Sequence, residues 1–231
     1  MILAFGNQKG GTGKSTCTVL AATALSQPPF SYRVTVVDTD QQKSISRLRL
    51  FDLEDFDGVL PFDVLDYNVR TFENKVRELD RANDLILVDV AGKLDANLPA
   101  DHQEISRILN YLDFLFIPFV AGNFALEASL DYLKFVLQFA TRRQSEGRPP
   151  LHVVGFTNMD RPRTRNSRFL ASEADQIRAV ANIPYMKTRL GDYTAFRDAT
   201  TVASLYDDNP TDPARLNFTT WIKELHKTIT E

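Results

Sequence analysis

Short runs of apolar residues recur along the chain with longer mixed segments between them. The runs are Ile2 to Phe5, Val34 to Val37, Phe62 to Leu65, Leu85 to Val90, Phe114 to Phe119 and Leu151 to Phe156. Continuous apolar runs of four to eight residues predict strands buried on both faces, the environment of a parallel sheet. The segments Lys14 to Ser26, Gln42 to Leu50, Phe72 to Ala82, Asp101 to Asn110, Ala125 to Arg143 and Arg168 to Ala181 carry helical spacing without internal proline. Strands alternating with helices predict an α/β fold, a mostly parallel central sheet with helices on both faces. Pro28-Pro29, Pro149-Pro150 and Asn209-Pro210 fall where turns at element ends are expected.

Composition adds limits. The chain has 231 residues, 43% hydrophobic and 25% charged, with a net charge of -3. That is the profile of one large folded domain spanning 1–231, without repeats or low-complexity tracts. Cys17 is the single cysteine, which excludes an intrachain disulfide framework and fits a reducing compartment, so a cytoplasmic protein is expected. The most apolar stretch, from Phe114 to Ala121, is broken by Pro118 and is too short to span a membrane. The first five residues lack the basic lead of a signal peptide and read as a buried strand.

Directly after that strand stands Gly6-Asn7-Gln8-Lys9-Gly10-Gly11-Thr12-Gly13-Lys14-Ser15-Thr16, followed by a helix. Glycines let backbone N–H groups converge on phosphate oxygens, and the helix N-terminus adds its positive dipole. Lys14 can then reach the β and γ phosphates and Ser15 can ligate Mg²⁺. This strand, loop and helix form a nucleotide site. The run Leu85 to Asp89 is an apolar strand ending in a carboxylate, the Walker B arrangement for Mg²⁺. Asp38 and Asp40 stand at the C-terminal end of another strand, the side on which open α/β sheets bind ligands.

The loop departs from the general pattern G-x-x-x-x-G-K-[ST], with Gln8 at the first glycine position and Lys9 after it, and the segment Lys9 to Thr16 instead resembles, residue for residue, the deviant Walker A motif K-G-G-x-G-K-[ST]-T of the ParA/MinD family of P-loop ATPases. The resemblance implies bound ATP and Mg²⁺, ATP hydrolysis, and an ATP-dependent sandwich homodimer in which Lys9 reaches the partner's phosphates. It makes Asp38 a partner of the Mg²⁺ shell and Asp40 the residue that orients the attacking water. Gln41 stands where the family's D-x-D-P-Q segment has proline, and Val90-Ala91-Gly92 resembles the switch turn without its proline. Asn158, at the end of Val153 to Asn158, would read the adenine edge, and Asn182-Ile183-Pro184 resembles the element whose backbone lines the base, which adds Pro184 to the nucleotide contacts.

From Thr141 to Arg197 eleven Lys or Arg face five acids, in a chain that is negative overall. Among them are Arg161, Arg163, Arg165, Arg168, Lys187 and Arg189, in the stretches where ParA-type partition ATPases bind nonspecific DNA. A patch of this kind is enough for salt-dependent contact with phosphates. The resemblance thus implies a DNA-segregating ATPase that is nucleoid-associated in its ATP state. A ParB-like or other cargo-bound activator would stimulate it. The family leaves open a MinD-like membrane-associated protein, a positioning ATPase for protein cargo, and a biosynthetic P-loop enzyme of the dethiobiotin synthetase type. Phe218, Trp221, Ile222, Leu225 and Ile229 share helical spacing near the C-terminus, but few cations accompany them, so this helix is expected to pack on the domain and not on a membrane.

Overall fold

The computed structural model describes residues 1–92 and 99–231. Six strands form one sheet: β1 (Ile2–Phe5), β2 (Val34–Asp38), β3 (Asp63–Asp66), β4 (Leu85–Asp89), β5 (Phe114–Phe119) and β6 (His152–Thr157). Their order is β3-β2-β4-β1-β5-β6 and every pairing is parallel. Each predicted run became a strand, shifted by no more than a residue or so at its ends. Pro118 sits inside β5 without breaking the ladder because β1 pairs only as far as Phe116, so the missing N–H falls beyond the last shared bond.

The helices among the described residues are α1 (Lys14–Leu25), α2 (Ser44–Asp52), α3 (Val69–Ala82), α4 (Pro99–Leu109), α5 (Asn123–Ser145), α6 (Arg165–Ala181), α7 (Thr194–Arg197) and α8 (Pro213–Thr230). Side-chain caps explain two N-terminal boundaries that differ from the periodicity. Asn68 accepts from the Thr71 N–H and starts α3 earlier than Phe72, while Thr164 accepts from the Ser167 N–H and starts α6 at Arg165. The short α7 has no counterpart in the sequence reading, since four residues carry no period.

Two apolar clusters cover the sheet. On one face α1 and α8 pack around Phe5, Phe116, Phe156, Phe218 and Trp221, with Phe5 and Trp221 stacked at 6.0 Å between ring centroids. Helices α3 to α6 contribute to the cluster on the opposite face. Helix α1 is buried nearly all round, which fits its lack of a polar stripe. In α8, Phe218, Trp221, Ile222, Leu225 and Ile229 are all buried, so its apolar stripe is consumed by the core. Among the described residues no helix is long and apolar enough to cross a membrane.

Candidate nucleotide site

Strand β1 lies between β4 and β5, and the phosphate loop leaves its C-terminal end at the sheet's crossover point. Asn7 anchors the loop's base. Its buried amide donates to the Pro118 carbonyl at 2.9 Å and the Ser129 hydroxyl at 2.7 Å, while its Oδ1 accepts the Lys9 N–H. Thr12 is buried and its hydroxyl donates to the Lys9 carbonyl. Gly13 caps α1 with φ of 84°, and an added Cβ there would stand 2.5 Å from Asn158 Nδ2, so both conformation and space require glycine.

A cleft of about 960 Å³ opens beside the loop. Lys9, Gly10, Gly11, Gly13, Lys14, Ser15 and Thr16 form one wall, and Asp40, Gln41, Gly92 and Glu104 lie on others. Lys14 is buried, with its ammonium 3.5 Å from the Lys9 carbonyl. Burial pushes the Lys14 ammonium below its ordinary range, against the opposing pull of Asp89 and Asp40. A Cβ on Gly92 would collide with Lys14 Nζ, which gives this glycine of the expected switch turn a steric role. The Lys9 side chain is exposed and makes no ion pair among the described residues.

Asp38 and Asp89 are register partners at the ends of β2 and β4, and both are fully buried. Ser15 donates its hydroxyl to Asp89 Oδ2 at 2.8 Å. Asp38 Oδ2 accepts both the N–H and the hydroxyl of Ser46, each at 2.9 Å. The other oxygen of each carboxylate is buried without a hydrogen-bond partner. Burial pushes the Asp89 carboxyl up to about 7, with Asp38 adding to the rise and the Ser15 bond and Lys14 opposing it. Two orphaned carboxylate oxygens beside a hydroxyl are a hard-oxygen donor set that suits Mg²⁺. No cluster of three or more His, Cys, Asp or Glu exists among the described residues, so such an ion would complete its shell with water and phosphate.

Asp40 lies beyond the end of β2, in the turn from Thr39 to Lys43, and its Oδ1 accepts the Gln42 N–H at 2.9 Å. Sequence reasoning missed four residues that organise this rim. They are Asn7, Thr39, whose hydroxyl donates to the Asp89 carbonyl at 2.6 Å, Ser46, and Lys43. Lys43 pairs with Asp66 at 2.6 Å and donates to the carbonyls of Asp38 and Tyr67. None belongs to a motif, because each acts on a group carried by another element.

Asn158 and Pro184 lie outside the lining of the cleft. The buried Asn158 amide donates to the Thr12 carbonyl at 2.8 Å, and the Pro184 carbonyl accepts the Gly155 N–H. The basic stretch is partly consumed by the fold. Arg161 and Arg197 both pair with Asp192, Arg189 stands 3.5 Å from Asp160, and Arg143 is buried on the carbonyls of Leu109 and Leu112. Arg163, Arg165, Arg168 and Lys187 are exposed without an ion pair among the described residues.

Residues 3–188 match the family model for the CobQ/CobB/MinD/ParA nucleotide binding domain. The chain belongs to this family. Solved structures with the same P-loop fold include a plasmid partition protein from Borrelia burgdorferi, with a TM-score of 0.61, 16% identity and 98% of each chain covered. Cobyrinic acid a,c-diamide synthase from Mycobacterium smegmatis reaches a TM-score of 0.67 at 15% identity, covering all of this chain and 95% of that one. The MinC:MinD cell division complex from Aquifex aeolicus gives 0.61 at 13%, with 100% and 96% covered. No curated protein matches the sequence. The family placement accounts for the strand, phosphate loop and helix at the chain's first crossover.

Proposed function

We propose that this chain is a ParA-type ATPase in which Mg-ATP closes a sandwich homodimer, the dimer binds nonspecific DNA, and a cargo-bound activator of the ParB kind triggers hydrolysis to segregate plasmid or chromosomal DNA. The observation that carries this reading is the convergence of Lys14, Ser15, Asp38 and Asp89 beneath a loop whose extra lysine, Lys9, projects free at the rim. Two structural relatives, a partition protein with AMPPNP and the diamide synthase with an ATP analogue and magnesium, support the choice of ligand.

In this reading Ser15, Asp38 and Asp89 would hold Mg²⁺, which would offset the charge of the β and γ phosphates. Lys14 cradles the same phosphates from its own subunit, while Lys9 adds a cation to the partner's site. Asp40 accepts a proton from the attacking water as it orients it. Arg163, Arg165, Arg168 and Lys187 supply the DNA contact, with Arg161 and Arg189 able to join it only by giving up their carboxylates. The ATP state would then reside on the nucleoid within the cytoplasm.

The test is binding to random duplex DNA without nucleotide, with ADP and with a slowly hydrolysed ATP analogue, at two salt concentrations. Binding confined to the ATP state and weakened by salt supports the reading, and absence of DNA binding in every state overturns it. Lys14→Ala should lose nucleotide, Lys9→Ala should bind ATP yet stay monomeric, and Asp40→Ala should keep ATP and the dimer without turnover. A second reading, a small-molecule ATP-dependent enzyme, is favoured by the diamide synthase likeness and by the apolar wall of Val69, Ile105 and Ile108 in the same cleft. It predicts turnover that depends on a metabolite and ignores DNA.

A further inference from the structure

The end of α2 and the turn after it carry an unusual surface. Leu50, Phe51, Leu53, Val59 and Leu60 are exposed by 68, 69, 40, 94 and 37%. Isolated exposed apolar residues are ordinary, but five within eleven positions form a patch that calls for a partner. From Leu50 to Asn68 the chain holds six carboxylates and no Lys, Arg or His. Asp52 is spent on Thr201 and Asp66 on Lys43, while Glu54, Asp55, Asp57 and Asp63 are exposed without an ion pair among the described residues.

The helix that leads into this patch is tied at both ends. Near its start, Ser46 holds Asp38 Oδ2 through two bonds. At its last residue, Asp52 accepts the N–H and hydroxyl of Thr201, each at 2.6 Å, and the buried Arg49 forks onto Thr201 and the Phe62 carbonyl. This nine-residue helix thus physically links the patch to Asp38.

We propose that the acidic, apolar patch of residues 50–60 docks a basic amphipathic segment of a partner protein, and that α2 carries this event to Asp38. Charge selects the occupant: nucleic acid and anionic lipid are repelled by these carboxylates, whereas a segment with cations flanking an apolar stripe satisfies both halves of the surface. The coupling to Asp38 rests on the ATPase reading above; the docking does not.

The experiment titrates the full chain with a fluorescent 18-residue helical peptide of alternating Leu and Lys faces, and with its Leu/Glu counterpart. The Leu/Lys peptide should bind and the Leu/Glu peptide should not. The pair Phe51→Ser with Val59→Ser, and separately the triple Glu54→Lys, Asp55→Lys and Asp57→Lys, should each weaken binding at least tenfold with basal ATP turnover and melting temperature retained. The peptide should change turnover at least twofold, and Ser46→Ala should keep the binding but lose that response. Equal affinity in the surface variants overturns the docking site. Concentration-dependent self-association lost both in the triple variant and on charge reversal of Arg163 and Arg165 overturns it in favour of a second copy of the chain. Binding with unaltered turnover overturns the coupling alone. No turnover in the unmodified chain counts against the ATPase reading, and the binding comparison still decides the docking.

Discussion

Replacing Asp89 with Asn should stabilise the metal-free protein, although Asp89 belongs to the site. The carboxyl is fully buried and its ionisation is pushed up to about 7, from an ordinary value of 3.8. Below about pH 3 it is neutral folded or unfolded and costs nothing. As pH rises toward 7 the unfolded chain releases this proton while the fold retains it, so stability falls, and the loss levels off above about pH 7. Three units at about 1.36 kcal/mol each set the full loss near 4 kcal/mol, as an order of magnitude. Asparagine has the same shape, accepts the Ser15 hydroxyl and carries no charge, so it escapes this loss. Thermal unfolding in a chelator should show Asp89→Asn and the parent equal at about pH 3. The variant should be ahead by about 10 °C at pH 8, given roughly 2–4 °C per kcal/mol for a domain of this size. Mg-ATP should reverse the order, because the variant has lost an oxygen anion from the cation site. A gap that stays constant between pH 5 and 8, or a less stable variant at pH 8 without metal, would refute the assigned burial and charge.

Gly92→Ala should leave the melting temperature nearly unchanged, since the flexible Lys14 end can give way, yet weaken a fluorescent ATP analogue about tenfold or more; intact affinity would clear the glycine of its steric role. Arg49→Ala removes two side-chain bonds from Thr201, strands the Phe62 carbonyl and strips the guanidinium from the Phe62 ring, so urea unfolding should record a loss of about 3 kcal/mol. Arg49→Lys should recover less than half of it, because a lysine cannot fork. Asn7→Ala should cost about 2 kcal/mol and speed hydrogen exchange of the Lys9 amide, whose acceptor it removes; protection equal to the parent would show that the loop is held elsewhere.

The strands were legible because a segment buried on both faces must be mostly apolar: β1 and β5 are so throughout, and β2 and β4 depart from it only at Thr35 and at their closing aspartates. Edge strand β3 sets two half-buried residues, Val64 and Leu65, between two exposed aspartates, and there the expected run, Phe62 to Leu65, slipped by one residue. The phosphate loop was legible for a different reason: its function rests on consecutive backbone groups, so motif and site coincide. Asp38 and Asp89 could each be placed at a strand end. Their pairing across β2 and β4, and the two orphaned oxygens that follow from it, required the sheet order.

What the sequence by itself determined is what depends on neighbours along the chain: the alternation of strands and helices, the phosphate loop, the carboxylates that close two strands, and the amphipathic face of α8. What only the tertiary structure decided depends on partners far apart in sequence. Asn7 finds Pro118 and Ser129, Thr39 meets the Asp89 carbonyl, Arg49 reaches Thr201, and Arg161 and Arg189 spend their charge on Asp192 and Asp160. Composition counts charges, but their availability is set by which opposite charge the fold brings within about 4 Å, where attraction exceeds screening. The basic stretch therefore narrowed to a few free cations, and the acidic segment after α2 emerged as exposed surface, only once the chain was folded.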